Sequence, residues 1–271
     1  MAATMLRGAS AEAMADLRDR LGKPATLADA ATIGDELFWV SDLLRTDAAL
    51  RRAATDASMP AEARQGLARQ IFESKVGESS LGIVESAFGH RWTSQRDLPD
   101  VLERLSEVAI ALSTGAKADQ LADELFGVGR LLASNPGLRD ALANPGRTVD
   151  DRVGLVDTVL GDKVLPATAA LTKQALAGTY GTLTAALEVY RSVVADTAGE
   201  GVATVRVAQP LTAPERDRLR KALSKQYGRE IHVNEVVDAD VVGGIRVEIG
   251  DDVIDGTVSG RLDDARRRLA V

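Results

Sequence analysis

The spacing of apolar positions along this chain changes once. Up to about residue 195, apolar residues recur every three or four positions, as on one face of an α-helix. From Val202 they alternate, as in a strand with one buried face. The first regime predicts a helix over Ser10–Leu21, with Ala11, Met14, Leu17, Arg18 and Leu21 on one face and Gly22-Lys23-Pro24 ending it. Thr26–Arg45 follows, with the stripe Ile33, Leu37, Val40 and Leu44. A long helix over Leu98–Ser113 carries Leu98, Val101, Leu102, Leu105, Val108, Ala109 and Leu112, and Leu183–Ala195 is its counterpart.

Two of these segments nearly coincide. DELFWVSDLL (Asp35–Leu44) and DELFGVGRLL (Asp123–Leu132) share seven of ten residues. At the same offset of 88, Leu50, Arg51 and Ala53 meet Leu138, Arg139 and Ala141. Arg64, Gly66 and Leu67 meet Arg152, Gly154 and Leu155, and Lys75-Val76 meets Lys163-Val164, with no gap from Ile33 to Val76. Two long copies do not make a solenoid, whose units run to roughly 20–50 residues. They predict a tandem duplication of one helical bundle. Short helices fill each copy. Pro60 opens one in the first, with Leu67 and Ile71 in its core contacts. Thr148 and Asp151 form a capping box on its partner, and the turns SNPG and ANPG at Ser134 and Ala143 delimit another. Asp35-Glu36 and Asp123-Glu124 flank the stripes and read as a solvated face.

After DTAGEG (Asp196–Gly201) the second regime begins. Val202–Ala208 is a strand. A helix follows, with Thr212 and Glu215 as a capping box, Leu219, Leu223 and Tyr227 as its stripe, and Gly228 at its end. Ile231, Val233 and Val237 mark a second strand. Gly243–Gly256 reads as a hairpin turning at Gly250-Asp251-Asp252, and Val258, Leu262, Ala265 and Leu269 share one face of a closing helix. The predicted fold is two tandem helical bundles, residues 1–113 and 114–197, followed by a small α/β domain, 202–271, of order β-α-β-β-β-α.

Composition narrows the chemistry. The chain is 45% hydrophobic but only 3% aromatic, which suits packed helices. No cysteine is present, which excludes disulfides, thiolate nucleophiles and thiolate metal sites. A net charge of −7 argues against nucleic acid as a partner. Arg266-Arg267-Arg268 sits beside Asp263 and Asp264 and reads as a solvated last turn. No apolar run reaches a membrane span, so no direct insertion in the bilayer is expected. The first residues lack the core of a signal peptide, and the expected compartment is the cytoplasm.

Phosphate loops, GxGxxG turns, HExxH and GxSxG are all missing from the sequence. The two histidines, His90 and His232, fall in different domains. Asp251, Asp252 and Asp255 are the nearest thing to a metal cluster, but a hairpin turn and a helix start explain them. No catalytic residue, cofactor or metal ligand is expected.

The C-terminal pattern then resembles a known family. Gly243-Gly244-Ile245, Val253-Ile254-Asp255-Gly256-Thr257-Val258 and Arg261-Leu262 are similar to the C-terminal signature of the F-type ATP synthase delta subunit, called oligomycin-sensitivity-conferring protein in mitochondria. Thr257 stands where serine is usual. The resemblance extends over residues 115–271, and the first hundred residues are an extra copy of the helical part. It implies a stator subunit, without catalysis, that joins the catalytic head to the peripheral stalk and resists rotor torque. Its implied partners are the N-terminal helices of the alpha subunit, received in an apolar groove, and the b subunit. Its implied place is the cytoplasmic face of the cell membrane, held there by the complex. A rival reading is a non-catalytic helical scaffold that reuses a delta-like C-terminal domain. Candidate partner contacts are Trp39 and Asp42, which stand where the second copy has Gly127 and Arg130, Arg130 itself, and Arg261, Leu262 and Leu269 of the predicted closing helix. Trp39 is either an interface anchor or the filling of a larger gap in its own bundle.

Overall fold

The computed structural model describes residues 6–22, 24, 26–199, 201–227, 231–238, 241, 243–249 and 252–257. The chain divides into two compact units, Met1–Leu21 with Thr26–Ala195, and Gly22–Ala25 with Asp196–Val271.

The first unit is helical. Its helices are α1 (Ala9–Leu21), α2 (Leu27–Thr46), α3 (Ala48–Ala54), α4 (Ala61–Phe72), α5 (Glu78–Gly89), α6 (Asp97–Leu112), α7 (Ala118–Ser134), α8 (Pro136–Ala143), α9 (Val149–Leu160), α10 (Pro166–Gln174) and α11 (Leu183–Gly199). The sequence offset of 88 is also the structural period. Shifted by it, the limits of α4 become those of α9, the start of α5 becomes that of α10, and the start of α1 becomes that of α6. One period therefore holds five helices, and α6 stands in register both as the last helix of the first copy and as the first of the second.

Local chemistry fixes the helix ends. The Thr26 hydroxyl accepts from the Asp29 N–H at 3.1 Å and starts α2. The Asp47 carboxylate accepts from the N–H groups of Ala49 and Leu50, both at 2.9 Å, and starts α3 one residue after α2 stops. The predicted capping box of Thr148 and Asp151 is present on α9. Its counterpart α4 starts after Pro60 with no side-chain cap.

Arg64 anchors the start of α4 in another way, by tying the loop before it to the end of α5. It is 3% exposed and donates five hydrogen bonds, all to backbone carbonyls. Those of Asp56 and Met59 belong to the loop before α4, and those of Phe88, Gly89 and His90 to the end of α5. The negative end of the α5 dipole thus takes the place of a carboxylate counterion. Arg152 occupies the equivalent position in the second copy, yet it makes a single bond of 3.4 Å, to the Leu142 carbonyl.

Two apolar cores fill the unit. One joins Leu17, Leu37, Val40, Leu44, Phe72, Phe88, Leu98, Leu102 and Leu105. The other joins Ile110, Leu121, Leu125, Leu132, Leu171, Leu187 and Tyr190. Helix α6 contributes to both. Gly34 allows α2 to lie close on it: a Cβ there would stand 3.2 Å from the Ser106 carbonyl oxygen and would strike the Ile110 side chain.

The second unit carries β1 (Gly201–Val207), α12 (Ala213–Tyr227), β2 (Ile231–Val237), β3 (Ile245–Ile249) and β4 (Asp252–Asp255). The sheet order is β2-β1-β3-β4, with β1 parallel to β2 and the other pairs antiparallel. Alternate residues Ala203, Val205, Val207, Ile231, Val233, Val247 and Ile249 build one core with Leu223 of α12. Arg216 of α12 is paired with Glu235 of β2 at 2.7 Å, and Glu235 also accepts from the Leu211 N–H. At Thr212 the predicted box is half formed: its N–H and its hydroxyl both donate to Glu215. Gly244 has φ of +84°, and a Cβ there would stand 2.9 Å from the Cα of Thr257. The glycine of the GGI motif thus admits the Gly256-Thr257 backbone. The closing helix, with Arg261, Leu262 and Leu269, lies outside the described residues.

The Arg64 latch predicts an asymmetry between equivalent arginines. Arg64→Met should lower stability by about 3 kcal/mol, because it strips buried carbonyls of their donors. Arg152→Met, with one long bond to lose, should cost under about 1 kcal/mol. Urea unfolding of the two variants checks this.

Candidate partner-binding surfaces

The DELF repeat places a glutamate in each copy, and both glutamates perform one task. Glu36 of α2 accepts from the Gly77 N–H at 3.0 Å, at the start of α5. Glu124 of α7 accepts from the Leu165 N–H at 2.7 Å, at the start of α10. Each caps a helix some forty residues away in sequence, and the two pairs are related by the offset of 88. The sequence reading of Glu36 and Glu124 as a solvated flank is therefore incomplete. Nothing local could show this, because both donors come from a distant helix start.

Glu124 is held more firmly. Burial pushes its carboxyl up, but the Thr168 hydroxyl at 2.5 Å, the Leu165 N–H and the Gln120 amide outweigh this and hold it below its ordinary range. Its contribution to stability is present above the usual glutamate pKa and is lost as pH falls through the lowered value.

With α2 and α7 fixed in this way, their outer faces present aromatic side chains. Trp39 is 43% exposed, and its ring meets Phe72 edge-on at 6.1 Å between centroids. Phe72 in turn meets Phe88 edge-on. In the second copy these three positions are Gly127, Leu160 and Leu176, so the aromatic ladder is confined to the first. Asp42, one turn beyond Trp39, is half-buried. On α7 the exposed aromatic is Phe126, 47% exposed, with the Arg191 guanidinium 4.8 Å above its ring. Arg130 follows one turn later and is exposed. Phe126 was not singled out in the sequence because it lies off the buried stripe of α7. Its counterpart Phe38 is half-buried, with the Arg45 guanidinium 5.8 Å from its ring.

His90 caps α5 and lies 3.0 Å from Asp16. Asp251 falls outside the described residues, as do the side chains of His232, Asp252 and Asp255. Among the described residues no group of three or more His, Cys, Asp or Glu could hold a metal ion, and no helix is long and apolar enough to cross a membrane.

These features define a class: a multi-helix protein with a small C-terminal α/β domain, whose exposed aromatic side chains lie on paired helical faces. Comparison with known proteins makes the class specific. The sequence pattern of the family described as ATP synthase delta (OSCP) subunit matches residues 105–269. An ATP synthase subunit delta of Nocardioides sp. is 49% identical over 98% of this chain and 97% of that one. A subunit of the same name from Streptomyces avermitilis is 39% identical, covering 97% and 98%. One from Thermobifida fusca is 35% identical, covering 98% and 100%. The chain belongs to the ATP synthase delta (OSCP) subunit family. Since these relatives align over nearly their whole length, they share the first helical copy too.

The remote caps carry a stability prediction. Glu124→Ala should cost about 1–2 kcal/mol, since it removes a charged acceptor from a helix start. Glu36→Ala, which breaks one bond, should cost about half as much. Chemical denaturation at neutral pH measures both. Equal losses would show that the extra bonds to Glu124 contribute nothing.

Proposed function

We propose that this chain is a stator subunit of the F-type proton-translocating ATP synthase. In this reading it links the N-terminal helices of alpha subunits to the b subunit of the peripheral stalk and resists the torque of the rotor. It performs no chemistry of its own and is held at the cytoplasmic face of the cell membrane by the complex. The observation that carries the reading is the full-length similarity to proteins named ATP synthase subunit delta. The helical construction suits the task. Torque is resisted by packed interfaces, and the helical unit supplies continuous cores with exposed anchors for a partner helix.

The two copies would take different helices. The second copy is contiguous in sequence with the α/β domain, as in the usual subunit, and would keep the groove for an alpha N-terminal helix. Phe126 and Arg130, one turn apart on α7, would line it. The first copy would take a second helix, from another alpha subunit or from the stalk, using Trp39 and Asp42. Arg261, Leu262 and Leu269 would belong to the surface that meets the b subunit.

Affinity capture with the full chain should recover alpha and b subunits together, and recovery of neither would remove the stator reading. A complex lacking residues 202–271 should keep ATP hydrolysis by its head and lose ATP synthesis from a proton gradient. Synthesis at the normal rate would refute the role given to the C-terminal domain.

The grooves are separated by titrating the full chain with an alpha N-terminal peptide. Phe126→Ala should weaken binding about tenfold or more, the loss of a ~1.4–2 kcal/mol anchor. Trp39→Ala should leave it unchanged. The reverse outcome would exchange the roles of the copies.

A further inference from the structure

Helix α6 buries two carboxylates one turn apart. Glu103 and Glu107 are each 1% exposed, and both bond to the segment between α10 and α11 of the second helical copy. Glu103 is paired with Arg45 of α2 at 3.2 Å, and it accepts from the N–H and hydroxyl of Thr179. Between the two acids, Ser106 is hydrogen-bonded to Gln174 of α10. Glu107 accepts from the Tyr180 hydroxyl at 2.5 Å and from Arg104 at 2.9 Å.

The charged and titratable groups around Glu107 are few. Its own helix supplies Glu103 and Arg104. The connection into α11 supplies Tyr180, and α11 supplies Tyr190, whose buried hydroxyl has no hydrogen-bond partner among the described residues and whose ring meets Tyr180 edge-on at 5.6 Å. From α2 comes Arg45, already engaged with Glu103. Helix α10 offers the uncharged Gln174, α7 the apolar Leu121 and Leu125, and α1 meets the far end of α6 through the Ser10–Asp97 bond. One partly exposed arginine is thus the direct counterion of a fully buried carboxylate at the joint between the copies.

We propose that Glu107 is a proton-operated clamp: protonated, it holds α6 against Tyr180 and the second copy, and ionised, it loosens that joint. A neutral acid can share a hydrogen bond with the Tyr180 hydroxyl at no cost in buried charge. The ionised form must keep its charge out of water with Arg104 alone beside it. Burial raises the Glu107 carboxyl to about 7, against the partial opposition of Arg104 and Tyr180. Stability of the joint is therefore complete below the ordinary glutamate pKa and is lost as pH rises through 7. The clamp works without any partner bound, so it stands or falls separately from the stator reading.

Hydrogen exchange of the full chain at pH 6 and pH 8, corrected for intrinsic rates, tests the clamp. The opening constant of segments 103–110 and 176–190 should rise about tenfold between these pH values, while that of α4 stays constant. Glu107→Gln should abolish the tenfold change. Should that variant fail to fold, Tyr180→Phe gives the second reading. It removes a donor that favours the ionised form, so the transition should move to higher pH. A flat wild-type profile, a tenfold change retained in Glu107→Gln, or an unmoved transition in Tyr180→Phe would overturn the proposal.

Discussion

The helical unit depends on burying one helix on all sides. Every residue of α6 from Leu98 to Ala111 except Asp100 and Arg104 is buried. Its apolar positions from Leu98 to Ala109 enter the first core and Ile110 and Ala111 the second, while Ser106 and Glu107 bond to residues of the second copy and Glu103 to both Arg45 and Thr179. A helix apolar all round would bury as much surface but would not fix its rotation. The polar stripe does fix it, because Glu103, Ser106 and Glu107 meet their partners Arg45, Thr179, Gln174 and Tyr180 in one rotation of the helix only. Buried polar groups commonly cost stability relative to apolar ones, and a defined register is their best-attested return. Here that return is the setting of one copy against the other.

The period of five helices follows from the same helix. A duplicated bundle could have been joined by a linker, leaving two independent cores. Instead α6 ends one copy and begins the next, so the second copy needs no first helix of its own. The match to the family pattern opens at residue 105, inside α6, which agrees with that double use. The shared helix also explains why equivalent positions diverge. Arg191 of α11 stands at the position of Glu103 in α6, and it covers Phe126 where Glu103 binds Arg45 and Thr179.

Elements with a strong period or a local end signal could be read from the sequence. The stripes of α2, α6 and α7, the Thr148 cap, the repeat and the change to strands near residue 201 all lie in contiguous residues. Helices α5 and α10 could not be read so. The segment Glu78–Gly89 holds two serines in its first turn and Gly82 in its middle, a poor helix former by composition. It becomes helical because Ile83, Val84, Ala87 and Phe88 are buried and Glu36 caps its start from another helix. The surface features divide likewise. Trp39 is visible as a difference between copies, but its footing on Phe72 is not. The role of Glu107 appears only when Tyr180, far along the chain, is placed beside it.

The duplication therefore repeats a scaffold but not a surface. The remote caps at Glu36 and Glu124 and the buried stripes recur because they define the bundle. The outer faces are free of that constraint. One carries Trp39 on an aromatic ladder, and the other carries Phe126 beneath an arginine. An arginine over a ring keeps a wet, charged rim, while a tryptophan seated on phenylalanine offers a broad apolar edge. Two such faces on one unit, joined through a common helix, would hold two partner segments of the proposed stator in a fixed relation. Since α6 contributes to the cores beneath both faces, a change that loosened α6 would alter the relation between them.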